Sequence, residues 1–218
     1  MDTVDLSVKN NESFVFIHEI TNWSQLYELD LCGFKSQLRK EVNDPLVLYE
    51  WSFDNNNLTI YLKPATGTLS FATNPSAGNT VTIGATFVTF VASGAVGNQV
   101  NIGGAVGDTV TNFMAFAAAS TDAAISSCTY AQNGTLVTLT YKKAGCLGNS
   151  LALSSNSANI VASGATLSGG VAAVEMLATR QQMRRFEGPY HYDHKLYFEG
   201  QEVVMFGGGM EFVGGVTL

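Results

Sequence analysis

The sequence predicts a mainly β protein, in which a small α+β domain is inserted into a β-sandwich-like outer domain. Short runs of alternating apolar and polar residues recur between Gly, Asn and Pro turns, a pattern typical of strands. A helical pattern lies near the middle of the chain. Charge changes sharply along the sequence, because residues 65–172 contain only Asp108, Asp122, Lys142 and Lys143 of the 11 basic and 18 acidic residues.

Two changes in composition mark the predicted domain boundaries. The central block is rich in Gly, Ala, Ser, Thr and Val, whereas the flanks are rich in Tyr, Phe, Trp, Glu and Arg. Turn-like sequences surround Pro64 and Gly169 at the two junctions. Because a loop accepts an insertion at a small entropic cost, we predict an outer domain over residues 1–64 plus 173–218 and an inserted domain over residues 65–172.

Period-two alternation predicts the strands of the outer domain. In its first half, strands are predicted at residues 13–20, 26–31, 33–41, 46–53 and 58–62. In its second half, strands are predicted at residues 171–177, 190–198, 203–206 and 210–213. A helix is predicted at residues 178–186, and Gly188 and Pro189 should end it. Gly200 predicts a hairpin, whereas the three glycines at 207–209 should break the chain before the last strand.

The inserted domain is predicted as a sheet with one helix packed on it. Its predicted strands cover residues 80–92, 99–102, 127–132, 135–142, 151–154 and 159–162. The helix presents one apolar face, formed by Val110, Phe113, Met114 and Ala117. Asp108 is the predicted N-cap of this helix. Asn133-Gly134 is a strong hairpin turn between two of the strands.

Composition argues against several functional classes. The net charge is −7, and the few basic clusters lie among acidic residues, so no nucleic-acid partner is expected. No apolar run reaches the roughly 18 residues that a membrane span needs, so no membrane partner is expected. The acidic N-terminus lacks the features of a signal peptide.

The three cysteines, Cys32, Cys128 and Cys146, are too few and too far apart for a disulfide framework or a zinc site. Buried thiols are the favoured interpretation. Cys128 and Cys146 flank a predicted strand pair, so a bridge between these two stays open.

No catalytic, cofactor-binding or metal-ligating residue is predicted, and the chain is expected not to be an enzyme. The sequence contains no nucleophile elbow, zinc-protease motif or phosphate-binding loop. His191, Asp193 and His194 are the one cluster of metal-ligand types. In a strand, however, His194 points away from the other two, so packing is favoured over a metal site.

Motifs in both halves of the outer domain suggest a family. The first half contains Asn22-Trp23-Ser24 and then Leu29-Asp30-Leu31-Cys32-Gly33-Phe34. The second half contains Gly188-Pro189-Tyr190-His191-Tyr192-Asp193, followed by Gly200, Gly207 and Gly214-Gly215-Val216-Thr217. This pattern resembles small virion domains of tailed bacteriophages, including the N-terminal domain of baseplate upper proteins. In the middle segment, Thr82-Ile83-Gly84-Ala85-Thr86-Phe87 and Ala144-Gly145-Cys146-Leu147-Gly148-Asn149 resemble a module inserted in phage tail proteins.

The resemblance implies a virion building block, assembled in the host cytoplasm. The expected role is a tail or baseplate component that anchors fibres or neighbouring subunits. Its expected partners are other virion proteins and further copies of itself. Contacts would come from buried apolar area and from pairing of strand edges. Two alternatives stay open: a capsid or neck decoration or spike protein, and a host-glycan-binding module.

Aromatic and arginine side chains are the candidate interface residues, because both types are enriched in protein–protein contacts. The candidates are Trp23, Phe34, Arg39, Trp51, Arg184, Arg185, Tyr190 and Tyr192. In the glycan-binding alternative, Tyr49 and Trp51 belong to an aromatic surface on which sugar rings stack.

Overall fold

The structure is a computed structural model that describes residues 2–10, 12–20 and 29–214. Strands account for 50% and helices for 14%, so the predicted mainly β class is confirmed. The chain divides into two compact units. The outer unit comprises Met1–Tyr61 and Ala172–Leu218, and the inserted unit comprises Leu62–Val171. No helix in the described ranges is long and apolar enough to cross a membrane.

The elements follow in chain order. The strands are β1 (Asp2–Thr3), β2 (Leu6–Lys9), β3 (Phe14–Glu19), β4 (Gly33–Arg39), β5 (Tyr49–Ser52), β6 (Leu58–Lys63), β7 (Thr66–Phe71), β8 (Thr80–Ile83), β9 (Thr86–Val91), β10 (Gln99–Asn101), β11 (Cys128–Asn133), β12 (Leu136–Tyr141), β13 (Leu153–Ser155), β14 (Ile160–Ala162), β15 (Val171–Ala178), β16 (Gly188–Phe198) and β17 (Gln201–Val213). The helices are α1 (Val106–Ala119), α2 (Ala123–Ser126) and α3 (Arg180–Met183).

The outer unit is built on a six-stranded sheet. The antiparallel neighbours run in the order β17, β16, β4 and β5, and both β1 and β2 pair with β17 in parallel. Segments from the two ends of the chain therefore meet in one sheet, as in the pairing of Leu38 with Tyr192. The hairpin between β16 and β17 turns at Glu199 and Gly200, which both have positive φ as this tight turn requires.

A second, three-stranded sheet has the order β3, β15 and β6. Its inner face meets the large sheet through ring contacts. Phe14 lies 5.8 Å from Trp51, and His18 lies 4.2 Å from Phe206, measured between ring centroids. The outer unit is thus two sheets packed face to face over an aromatic core, which is the β-sandwich-like arrangement that the sequence predicts.

The three glycines at 207–209 do not break the chain, which corrects the sequence-based prediction. They lie inside β17, and residues 4 and 5 run alongside them, because β1 and β2 both pair with β17 in parallel. A Cβ at Gly208 would overlap the carbonyl oxygen of Val4. Hydrogen bonds fix this close approach, because the Val4 amide donates to Gly207 O at 3.2 Å and the Gly209 amide donates to Asp5 Oδ1 at 2.8 Å.

Two further predictions for the outer unit are wrong. Leu29–Leu31 form a 3₁₀ turn rather than the end of a strand, and residues 26–28 lie outside the described ranges. The helix predicted at residues 178–186 is only the single turn of α3. Its N-cap is Thr179, whose hydroxyl accepts from the Gln182 amide. Its last residue, Met183, and Phe186 just beyond it are buried, so core packing, rather than helix propensity, sets this segment.

The inserted unit contains two four-stranded sheets, with the orders β10-β9-β8-β13 and β11-β12-β7-β14. Its core holds Phe71, Phe90 and Phe113, whose ring centroids lie 6.0 to 6.4 Å apart. The predicted hairpin at Asn133-Gly134 joins β11 and β12, and Gly134 has a φ of 60°.

The helix α1 buries Val110, Phe113 and Ala117 as its apolar pattern predicts. Its N-cap is Ala105 rather than Asp108. Asp108 lies in the first turn, where its carboxylate accepts from the Ala105 amide at 3.0 Å. An acidic side chain in this turn satisfies a free amide and complements the helix dipole. Cys32, Cys128 and Cys146 are all buried thiols.

Candidate functional site

The outward face of the three-stranded sheet exposes aliphatic side chains. Along β3, Phe14 is buried against the core, whereas Val15 and Ile17 point outward and are 60% and 58% exposed. On the same face, Leu177 of β15 pairs with Val15 and is half-buried. Tyr61 of β6 is 47% exposed. These four residues, Val15, Ile17, Tyr61 and Leu177, are called the apolar sheet face below.

The carboxylate of Glu175 interrupts the apolar sheet face, and the exposed Glu19, the next outward residue of β3 after Ile17, lies at its end. Glu175 pairs with Ile17 across the strands and accepts a hydrogen bond from the Tyr61 hydroxyl at 2.6 Å. This bond, with a smaller contribution from burial, raises the pKa of the Tyr61 hydroxyl. The tyrosine is therefore held as a neutral donor, and Glu175 is tied to its neighbour instead of projecting as an isolated charge.

The outward face of the six-stranded sheet carries a row of paired polar groups. Each member contacts the next in the order Glu202, Lys195, Asp193, Arg39, Gln37, Glu50 and Lys35. The shortest ion pair joins Lys195 Nζ to Glu202 Oε1 at 2.6 Å, and the hydrogen bond from Lys195 lowers the pKa of Glu202. Positive and negative groups balance along the row, so it satisfies its own charges.

A cleft of about 440 Å³ opens on this same face of the six-stranded sheet. The row supplies Gln37, Arg39 and Asp193 as one wall. The glycines at 207–209 of β17 line it as well, and Asp5 lies beside them, where its Oδ1 accepts from the Gly209 amide. Val42 and Val204 add apolar surface. The cleft therefore combines hydrogen-bonding side chains with bare backbone.

Three of the predicted interface residues belong to the core. Trp51, Phe34 and Tyr192 are 0%, 2% and 3% exposed, because β4, β5 and β16 turn these side chains toward the three-stranded sheet. The Tyr192 hydroxyl donates to Val4 O at 2.7 Å. These residues offer no surface to a partner, and Trp51 cannot stack on a sugar ring. Trp23 lies outside the described residues.

The other predicted interface residues remain at the surface, in two different settings. Arg39 is partly buried and bonded to Asp193 at 2.9 Å, within the polar row. Arg185 packs on the Phe186 ring at 4.8 Å and donates to Leu48 O at 3.0 Å, so it belongs to the fold. Arg184 is exposed.

Tyr190 is half-buried between two other rings. Its centroid lies 5.5 Å from Phe186 and 5.4 Å from Phe212. The ammonium group of Lys40 lies 4.3 Å above the ring. These contacts hold the ring at the sheet surface through cation–π and edge-to-face packing.

The histidine cluster is divided between the two faces of β16. His191 and Asp193 face the cleft, whereas His194 is 0% exposed and stacks on Phe206 at 4.6 Å. Burial, with a smaller effect of His18, lowers the pKa of His194 to about 3. Within the described part of the chain, no three His, Cys, Asp or Glu side chains group as metal ligands.

The apolar sheet face was not among the predicted sites, although the sequence contains a signal for it. Residues 14–17 read Phe-Val-Phe-Ile, so both faces of β3 are apolar. A strand in a sheet with one solvated face should alternate apolar with polar residues.

No family model matches this sequence, and no curated protein is significantly similar to it.

Proposed function

We propose that this chain is a non-enzymatic structural and assembly protein of a tailed-bacteriophage virion, and that it docks on neighbouring subunits through the apolar sheet face. One observation carries the docking role: Val15 and Ile17 are neighbours on one face of β3 and are 60% and 58% exposed. Exposed apolar residues that adjoin on one face of a sheet, as these do with Tyr61 and Leu177, form the kind of contiguous patch that a partner covers.

The rest of that face suits a protein partner. Leu177 and the ring of Tyr61 extend the apolar area, and the bond between Tyr61 and Glu175 satisfies the carboxylate before any partner arrives. Covering Glu175 therefore costs less than covering an isolated carboxylate, because it already accepts a hydrogen bond. Glu19 lies at the end of β3, where the rim of an interface would be. Interfaces with an apolar centre and polar groups at the rim follow the same arrangement.

The assignment to a phage particle rests on the motif resemblance. The two resembling segments supply β4 and β16, which are neighbours in the six-stranded sheet. We favour a tail or baseplate component that anchors fibres or adjacent subunits, present as a homo-oligomer. The alternative is a capsid or neck decoration protein, and the number of copies per particle separates the two.

The experiment compares two lysine substitutions at exposed aliphatic strand positions. Ile17→Lys places a charge in the centre of the apolar sheet face without touching the core. Val161→Lys is the matched control, because Val161 is 59% exposed and lies in β14 of the inserted unit, outside the apolar sheet face. We expect Ile17→Lys to reduce the amount of chain in purified particles by about tenfold or more. Burying the new ammonium group beside Glu175 takes two charges out of water, which costs more than the roughly 1.4 kcal/mol that this factor represents. Val161→Lys should incorporate normally.

Quantitative mass spectrometry of purified particles provides the readout, and circular dichroism confirms that both variants fold. A few to tens of wild-type copies per particle would support the tail or baseplate role, and hundreds would support the capsid role. Particles that contain the Ile17→Lys chain at the wild-type level would contradict docking through this face. Particles without the wild-type chain would overturn the virion assignment.

A further inference from the structure

We propose that the cleft on the six-stranded sheet is a binding site for a neutral saccharide. The proposal goes beyond the docking role, because this cleft lies on the other sheet of the outer unit and uses none of the residues of the apolar sheet face. Its volume of about 440 Å³ falls in the range of small-molecule sites, roughly 300 to 1,000 Å³.

The cleft exists because two side chains are missing from β17. In the sheet register, Gly209 lies opposite His191 and Gly207 lies opposite Asp193, so both glycines belong to the outward row. Neither has a positive φ, so backbone conformation does not demand glycine there. The contact with Val4 accounts for Gly208, which faces the other way. Without side chains at 207 and 209, this part of the cleft is lined by backbone and by the carboxylate of Asp5, which accepts from the Gly209 amide at 2.8 Å.

The side chains around this part of the cleft offer both donors and acceptors. Gln37, Arg39 and His191 carry N–H groups, and Asp193 and Asn43 carry oxygen acceptors. Planar polar groups of this kind can bond pairs of neighbouring hydroxyls. Val42, which is 65% exposed, and Val204, which is 38% exposed, supply apolar contact. A pyranose ring has the same combination of a polar edge and an apolar face.

Charge at the cleft argues against an anionic ligand. Its lining includes three carboxylates, those of Asp5, Glu41 and Asp193, against the single guanidinium of Arg39. Arg39 is already bonded to Asp193 at 2.9 Å. A phosphate or a carboxylated sugar would be repelled, whereas a neutral sugar only has to donate and accept hydrogen bonds.

Saturation-transfer NMR on the full chain tests the proposal. The probes are the methyl glycosides of glucose, galactose, mannose and N-acetylglucosamine, with N-acetylneuraminic acid as the anionic comparator. At about 10 mM, a concentration that would saturate a millimolar site, at least one neutral glycoside should receive saturation, and N-acetylneuraminic acid should not.

Variants locate the binding. Val42→Trp should fill the mouth of the cleft and abolish the signal, and His191→Ala should weaken it at least several-fold. Val96→Trp is the matched control, because Val96 is 72% exposed and belongs to the inserted unit. Circular dichroism confirms that each variant folds. The proposal is overturned if no neutral glycoside receives saturation, if N-acetylneuraminic acid receives as much, or if Val42→Trp and His191→Ala both bind like wild type.

Discussion

Lowering the pH should destabilise the outer unit through the imidazole of His194. This side chain is 0% exposed, and neither ring nitrogen has a hydrogen-bond partner in the described structure. It stacks on Phe206 and faces His18 of the opposing sheet. Its neighbour in β4 is Ser36, whose hydroxyl donates to Asp193 O. Among the described residues, the ring therefore has no hydrogen-bond acceptor that would stabilise a positive charge.

The magnitude follows from the two pKa values of His194. Burial lowers its pKa from 6.5 to about 3 in the folded chain, so between these values the unfolded chain binds more protons. Stability is consequently highest above pH 6.5 and is lost as the pH falls toward 3, by up to about 1.4 kcal/mol per pH unit. At about pH 5, the folded chain should be roughly 2 kcal/mol less stable than at about pH 8.

Urea denaturation at the two pH values, followed by tryptophan fluorescence, measures this loss. His194→Phe keeps a ring stacked on Phe206 but cannot be protonated, so most of the loss should disappear. His191→Phe, on the outward face of the same strand, is the matched control and should retain the wild-type loss. If His194→Phe loses as much stability as wild type between the two pH values, the buried imidazole is not the cause.

Two further substitutions test the packing. Gly208→Ala should displace β1, because its Cβ would overlap the Val4 carbonyl. Faster amide hydrogen exchange in β1 and β2 would reveal this displacement, and unchanged exchange would argue against the close contact between Val4 and Gly208. Phe113→Ala should cost about 3 to 5 kcal/mol in urea denaturation, because the ring is fully buried. Its control, Phe87→Ala at a 64% exposed position, should cost under about 0.5 kcal/mol. If both variants lost the same free energy of unfolding, the assignment of Phe113 to the core would be refuted.

Local signals predicted some of the elements well. The hairpins at Asn133-Gly134 and Gly200 follow from turn residues that suit few other conformations, and α1 follows from its apolar periodicity. The strand at Thr66–Phe71 was missed, because its small residues resemble a linker. It is defined instead by partners distant in the sequence, β12 and β14. The position of Gly208 inside a strand was not predicted for a similar reason. Glycine is needed there because the carbonyl of Val4, which is distant in the sequence, lies against it.

The candidate site was predicted only in part. Aromatic residues such as Trp51 and Phe34 were expected at an interface, yet the same apolar area that favours interfaces also favours the core. Which face of a strand becomes the core depends on the opposing sheet, and the local pattern does not contain that information. Ile17 could have been identified from the run of apolar residues on both faces of β3. The cleft depends on glycines at 207 and 209, whose missing side chains give no positive signal.

Covalent trapping at residue 17 tests most directly whether a partner covers the apolar sheet face. A photo-activatable phenylalanine analogue replaces Ile17 in one preparation and Val161 of the inserted unit in another, and assembled particles are irradiated. We predict that the probe at position 17 forms a defined cross-link to one neighbouring subunit, identified by mass spectrometry, and that the probe at position 161 does not. A solvent-exposed probe at position 17, with no cross-link in intact particles that contain the chain, would contradict the account.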